Sequence, residues 1–312
     1  MIRFRLFARS LLCIAVLGCA QAAQAQWANK AEMLARIEKD CPFPKQNAQY
    51  QNILEAKPDA SESALLFVFL YPVGMMTASP ACKIAQTRNA VDGLGHVLKQ
   101  FPQSKELSST RLEHAVAVVR LAGLTNAPDV QKHIAALESA ARANLADTSE
   151  STGIGETVVL SVSTIVPMID NTDIALQLLE LARTLAQERL AAGDDLEACL
   201  AGIYDQMSRL QRPGSPEYLA SLKSELGLVK ARPDSAYKLL DIASISVRMD
   251  DFAGAMGALQ ALESAGAVDD GACNFIIHSS ELVRLLQTSY RPTVQTFMQK
   301  HCLKVLQAAA RP

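Results

Sequence analysis

The chain of 312 residues is 49% apolar and 20% charged, which excludes a disordered polymer and leaves room for one large domain or two ordinary ones. Aromatics at 5%, with 15 glycines and 13 prolines, are too few for a turn-rich β-sandwich or for a platform that stacks bases or sugars. The formal net charge of −2, with no basic block after the first nine residues, excludes nucleic acid as an expected partner, and the expected fold class is all-α.

Residues 1–25 carry Arg3, Arg5 and Arg9, then the apolar stretch Ser10 to Gly18 and the small-residue run Cys19 to Ala25. The pattern is similar to a bacterial export signal, and the apolar stretch is shorter than the ~20 residues a membrane span needs. Cleavage behind Ala23-Gln24-Ala25 would start the mature chain at Gln26 with a net charge of −5. Val16-Leu17-Gly18-Cys19 resembles the lipobox of bacterial lipoproteins, with Leu17 departing from the small residue usual there. The alternative is therefore acylation at Cys19, the one route by which this chain would be anchored to a membrane. Both routes place the protein in the periplasm or on an envelope membrane.

Cys41 and Cys82 bracket a candidate helical hairpin turning at Lys57-Pro58-Asp59, so a disulfide between them would clip its open end. Inside it, Ala64 to Met76 is an apolar run holding Pro72, and it reads as a buried core helix. Ser79-Pro80 and Ser215-Pro216 each set a capping hydroxyl before a proline at the first helical position. Thr110-Arg111-Leu112-Glu113 fits a capping box, and Asn126, Asn171 and Asp234 are further expected caps. Asp147 to Gly155 and Gln211 to Pro216 are candidate hinges. The first sets a soft boundary between an N-terminal half, 26–148, and a C-terminal half, 149–312. Glu156 to Val166 is rich in β-branched residues and fits a strand about as well as a helix. Its length favours a buried helix ending near Pro167. Ile174, Leu178, Leu181 and Leu185 make one apolar stripe, and Phe252, Met256, Leu259 and Leu262 another. In all, about 12 to 14 helices are expected, many in short-turn antiparallel pairs stacked like an α-solenoid.

Around Ala243, Met249 to Phe252, Ala255 and Leu259, the segment 236–265 resembles one tetratricopeptide unit, with Ser246 and Leu262 departing from that family's aromatic and small positions. The resemblance implies stacked helix pairs with a concave face that holds a peptide or protein. Two helices, Asp270 to Gln287 and Pro292 to Ala309, are expected to form a hairpin turning at Thr288 to Arg291. Cys273 and Cys302 then lie opposite each other on its apolar seam, and a second disulfide is expected there. Cys199 is left over and reads as a small buried apolar residue.

Sites for chemistry are sparse. Ser235-Ala236-Tyr237-Lys238 has the serine-x-x-lysine spacing of penicillin-binding proteins, but the accompanying Ser-Asp-Asn and Lys-Thr-Gly elements are missing, and helix capping explains it more simply. His96, His114, His133, His278 and His301 show no zinc-ligand spacing. Asp194-Asp195-Glu197, Asp250-Asp251 and Asp269-Asp270 sit at expected helix starts, where the dipole favours them. Neither a dinucleotide fingerprint nor a phosphate loop is present, so no catalytic residue, metal or cofactor is expected. The expected function is a non-enzymatic one: binding a protein or peptide partner in the cell envelope as adaptor, chaperone or toxin neutraliser. The alternatives are a hydrolase whose lone acid would sit in a deep cleft with a raised pKa, and a carrier that lines an apolar cavity with Phe67 to Met76.

Overall fold

Apolar residues three and four apart recur from Met33 to Val305, and every regular element among the described residues is an α- or 3-10 helix. The computed structural model describes residues 29–57, 61–70, 78–147 and 154–309. The export signal, the Pro58-Asp59 turn, Tyr71 to Met76 and the soft boundary at 148/149 lie outside these residues. The protein is all-α, and its helices gather into two compact units, Met1–Leu181 and Ala182–Pro312.

The first unit holds α1 (Lys30–Asp40), α2 (Ala48–Glu55), α3 (Glu62–Leu70), α4 (Pro80–Gln100), α5 (Leu107–Leu124), α6 (Val130–Ala146) and α7 (Ile154–Ser163); α8 (Thr172–Ala191) runs through the division. Short connections pair α4 with α5 and α5 with α6. Met33, Ile37, Ile53, Leu65, Phe69 and Leu94 meet in one core. The Cys41–Cys82 disulfide, with Cα atoms 4.5 Å apart, ties the end of α1 to the first turn of α4. Two buried amides add direction to this apolar contact: Asn89 Nδ2 donates to the Met33 carbonyl at 3.0 Å, and Gln49 Nε2 to the Gln86 carbonyl at 3.2 Å.

Several caps fall where expected. The Ser79 hydroxyl accepts the Cys82 N–H at 3.3 Å, and Asn171 Oδ1 accepts from Asp173 and Ile174 at 3.0 and 3.1 Å. Thr110 does not cap: α5 starts three residues earlier, because the Ser104 hydroxyl accepts the Glu106 N–H and turns the chain sooner. Asn126 closes α5 in the left-handed region at φ 50° instead of opening α6, whose N-cap is Asp129. Glu156 to Ser163 is helical despite its β-branched content. Val158, Val159, Val162 and Ile165 are fully buried at spacings of one, four and seven, so burial of a helical face overrides strand propensity.

Gly93 faces the ring of Phe69 so closely that a Cβ would overlap it. Phe69 is itself buried, leaving the ring no open direction. Gly93→Ala is therefore expected to lower stability by about 1–2 kcal/mol in urea unfolding, despite alanine's better helix propensity.

The second unit continues with α9 (Glu197–Leu210), α10 (Pro216–Ala231), α11 (Ala236–Arg248), α12 (Phe252–Ser264), α13 (Asp270–His278), α14 (Ser280–Val283), a 3-10 turn (Arg284–Gln287), α15 (Arg291–His301) and α16 (Leu303–Ala309). Helices α9 and α10, and then α11 and α12, form closely packed pairs. The turn between α9 and α10 holds Gly214 at φ 80°, a conformation that favours glycine. Ser215 caps α10, but the cap of α11 is Ser235, not Asp234. Asp234 instead pairs with Lys238 Nζ at 2.9 Å. That capping turn accounts for the serine-x-x-lysine tetrapeptide. Asp251 and Asp269 cap α12 and α13, as acids at helix starts should.

The two helices expected at the carboxyl end are each broken, the first at Ser279, whose hydroxyl caps a new turn, and the second at Cys302. The seam survives: Cys273 and Cys302 are joined, with Cα atoms 5.3 Å apart, against Val305 and Ile277. Among the described residues no helix is long and apolar enough to cross a membrane.

Candidate functional site

Helix α10 carries a buried stripe of Tyr218, Leu222 and Val229, and Glu225 falls on the same face, only 7% exposed. Arg248, at the last turn of α11, is 9% exposed. An acid and a base this deep call for partners, and α9 supplies those of the base. Arg248 Nη1 donates to Asp205 Oδ1 at 2.6 Å, Nη2 donates to the Ser208 hydroxyl, and Nη1 lies 3.6 Å from Glu225 Oε2. The backbone holds the hub from below, with the Tyr218 hydroxyl donating to the Arg248 carbonyl at 3.1 Å.

Asp205, Glu225 and Arg248 line a cleft of about 570 Å³ between α9, α10, α11, α13 and the start of α14. Two further guanidinium groups border it. Arg209 Nε donates to both oxygens of Asp205 at 2.9 and 3.1 Å, with Glu281 3.7 Å from its Nη1; Arg232 Nη1 donates to Asp241 at 3.1 Å. A smaller recess of about 320 Å³ adjoins it, sharing Arg209, Arg248, Ser280 and Glu281. Gly202 leaves the α9 wall low: a Cβ there would meet nothing within 4 Å.

Electrostatically the cleft is unbalanced. Burial pushes the Glu225 carboxyl up to about 7, against the pull of Arg248. Burial also raises Asp241 above the ordinary aspartate range, opposed by Arg232. Glu225 Oε2 is sealed from water and accepts no hydrogen bond. A carboxyl in this state can hold a proton near neutrality, or meet a cation when ionised.

The raised pKa fixes the sign of a pH effect. The folded state holds the Glu225 proton more tightly than the unfolded chain, so this group's contribution is full below about pH 4.5 and is lost as pH rises through 7. Glu225→Gln is expected to be more stable than the parent at pH 8, by on the order of 2 kcal/mol, with the difference shrinking towards pH 5. Melting curves at the two pH values check it.

The four paired cysteines lie outside this cleft, and Cys199 is half-buried on α9 rather than fully buried. The histidines do not converge. His301 pairs with Glu263 at 2.9 Å and His133 lies 3.3 Å from Asp129, whereas His278 borders the cleft. Among the described residues no group of three or more potential ligands is placed to hold a metal. The cleft's charged residues look in sequence like ordinary helix-surface charges. The exception is Glu225, an acid on an apolar stripe. Comparison with family models, curated proteins and solved structures returned no match.

Proposed function

We propose that this chain is an exported helical protein that binds a protein or peptide partner in the bacterial periplasm, without catalysis of its own, as an adaptor, chaperone or toxin neutraliser. The cleft of its second unit is where the partner's polypeptide enters. The observation that carries this reading is a cleft large enough for several side chains, walled by charged groups that hold one another in place. Pre-set polar walls lower the ordering cost of binding. The α11–α12 pair supports it further: Ala243 and Ala255 are fully buried across a short turn, as in the tetratricopeptide unit that the segment resembles.

The test is affinity capture from native envelope extracts kept oxidised, with the parent and with Gly202→Trp. A Cβ at Gly202 would meet nothing within 4 Å, so a bulky side chain can be rooted on this wall of the cleft. A stoichiometric protein captured by the parent and lost with the variant supports the reading. Retention of that protein by the variant moves the binding face elsewhere.

A second reading, hydrolysis with Glu225 as proton donor, has one observation in its favour: a carboxyl that titrates at about 7 in a cleft. Hydrolytic activity that disappears in Glu225→Gln would establish it.

A further inference from the structure

We infer that the cleft is a seat for a primary ammonium group, a lysine side chain or the amino end of a peptide, with the Glu225 carboxylate as its counter-ion; this rests on the binding reading above.

The inference comes from which charges are already matched. Arg248 is committed to Asp205 and Ser208, Arg209 to Asp205, and Arg232 to Asp241. Glu225 is the acid left over: it lines the cleft at 7% exposure, the nearest guanidinium nitrogen is 3.6 Å from its sealed Oε2, and a ligand meets the carboxylate at its other oxygen. A buried carboxylate without donors is costly, and the missing element is a positive group that brings N–H donors. An anionic ligand meets the reverse situation, since each arginine bordering the cleft is engaged and the acids outnumber them. A compact ammonium with three donors suits this one carboxylate better than a guanidinium, which needs a planar pair of acceptors. The approach is open on the Gly202 side, where an aliphatic stem can lie.

The charged and titratable groups facing the cleft are Asp205 and Arg209 from α9, Glu225 from α10 with Arg232 just beyond it, Asp241 and Arg248 from α11, His278 from α13 and Glu281 from α14. Within this set Glu225 has its carboxyl raised to about 7. Ammonium binding therefore displaces a proton, and affinity for a lysine ammonium, which stays charged throughout, rises about tenfold from pH 6 to pH 8.

The test titrates the oxidised full chain, following the Glu225 carboxyl carbon by NMR, with three probes at pH 6 and pH 8. N-acetyl-lysine methylamide carries only the side-chain ammonium, glycylglycine amide only the terminal one, and N-acetyl-norleucine methylamide neither. The expected result is that one or both ammonium probes shift the Glu225 signal and bind tighter at pH 8, by about tenfold for the lysine probe and about fivefold for glycylglycine amide, whose amine is about half deprotonated there. The norleucine probe should not do so. Which ammonium probe binds tells the lysine source from the chain-terminal one. Glu225→Gln, read by titration calorimetry beside the parent because it lacks the reporting carboxyl, should lose both the affinity and its pH dependence. Norleucine binding as tightly as lysine overturns the ammonium seat and needs no variant to read; so does unchanged binding by Glu225→Gln. If no probe moves Glu225, the seat is overturned even where capture of a partner still depends on the Gly202 wall; if capture is also indifferent to that wall, the cleft is not the binding face, and if the parent captures no protein the binding reading falls as well.

Discussion

Replacing Arg248 with methionine is expected to lower the unfolding free energy by about 3–4 kcal/mol at pH 8, and by less at pH 6. Methionine keeps most of the aliphatic volume, so the change reports on the guanidinium and not on a cavity. What is lost is a group with 8% side-chain exposure that binds Asp205 and Ser208 and faces Glu225. Asp205 keeps Arg209, so the burden falls on Glu225. Without the pull of Arg248 its carboxyl rises beyond about 7 and stays protonated over a wider range. At pH 6 that carboxyl is already neutral in the parent, and less is forfeited. Arg248→Lys should recover only part of the loss, because a single nitrogen replaces the two that reach Asp205 and Ser208 separately. Urea unfolding at the two pH values measures both effects.

The double variant Cys41→Ala/Cys82→Ala is expected to lose about 4 kcal/mol, and Cys273→Ala/Cys302→Ala slightly less. The bridges span 41 and 29 residues of sequence, and cross-linking restricts the unfolded chain more when the loop is longer. Alanine is the right replacement, since all four cysteines are buried and a serine hydroxyl would be stranded. Denaturant unfolding of the oxidised parent, the two variants and the reduced parent provides the measurement. The reduced parent should be less stable than either variant.

The disulfides were legible because they depend on a one-dimensional relation. Two cysteines at equal distances from a hairpin turn face each other, whatever the helices do in detail, and Cys273–Cys302 persists although both of its helices are broken. The Ser-Pro caps were legible for a similar reason: hydroxyl and proline act within one turn. Thr110, Asn126 and Asp234 show the limit of local signals: Ser235 took the capping role beside Asp234, while the helices expected to open at Thr110 and Asn126 start at Glu106 and Asp129 with no side-chain cap. The cleft lay largely beyond that limit. Asp205, Glu225 and Arg248 come from three helices, and nothing in their spacing foretells that they meet. The one trace is Glu225 on the face of Tyr218, Leu222 and Val229, where a charge has no reason to be unless something deep awaits it.

The position of Cys302 near the end of the chain sets an order of events for oxidation. On the proposed export route, a chain that emerges amino end first presents Cys41 and Cys82 in succession, and their native bond can close at once. Cys199 and Cys273 emerge next, while Cys302 is still to come. Oxidation that outruns emergence therefore joins the wrong two sulfurs, and the native bond then forms only by thiolate exchange. Rapid emergence, or a catalyst of disulfide exchange, should raise the yield of correctly bridged protein, while Cys199→Ala should remove the need for either.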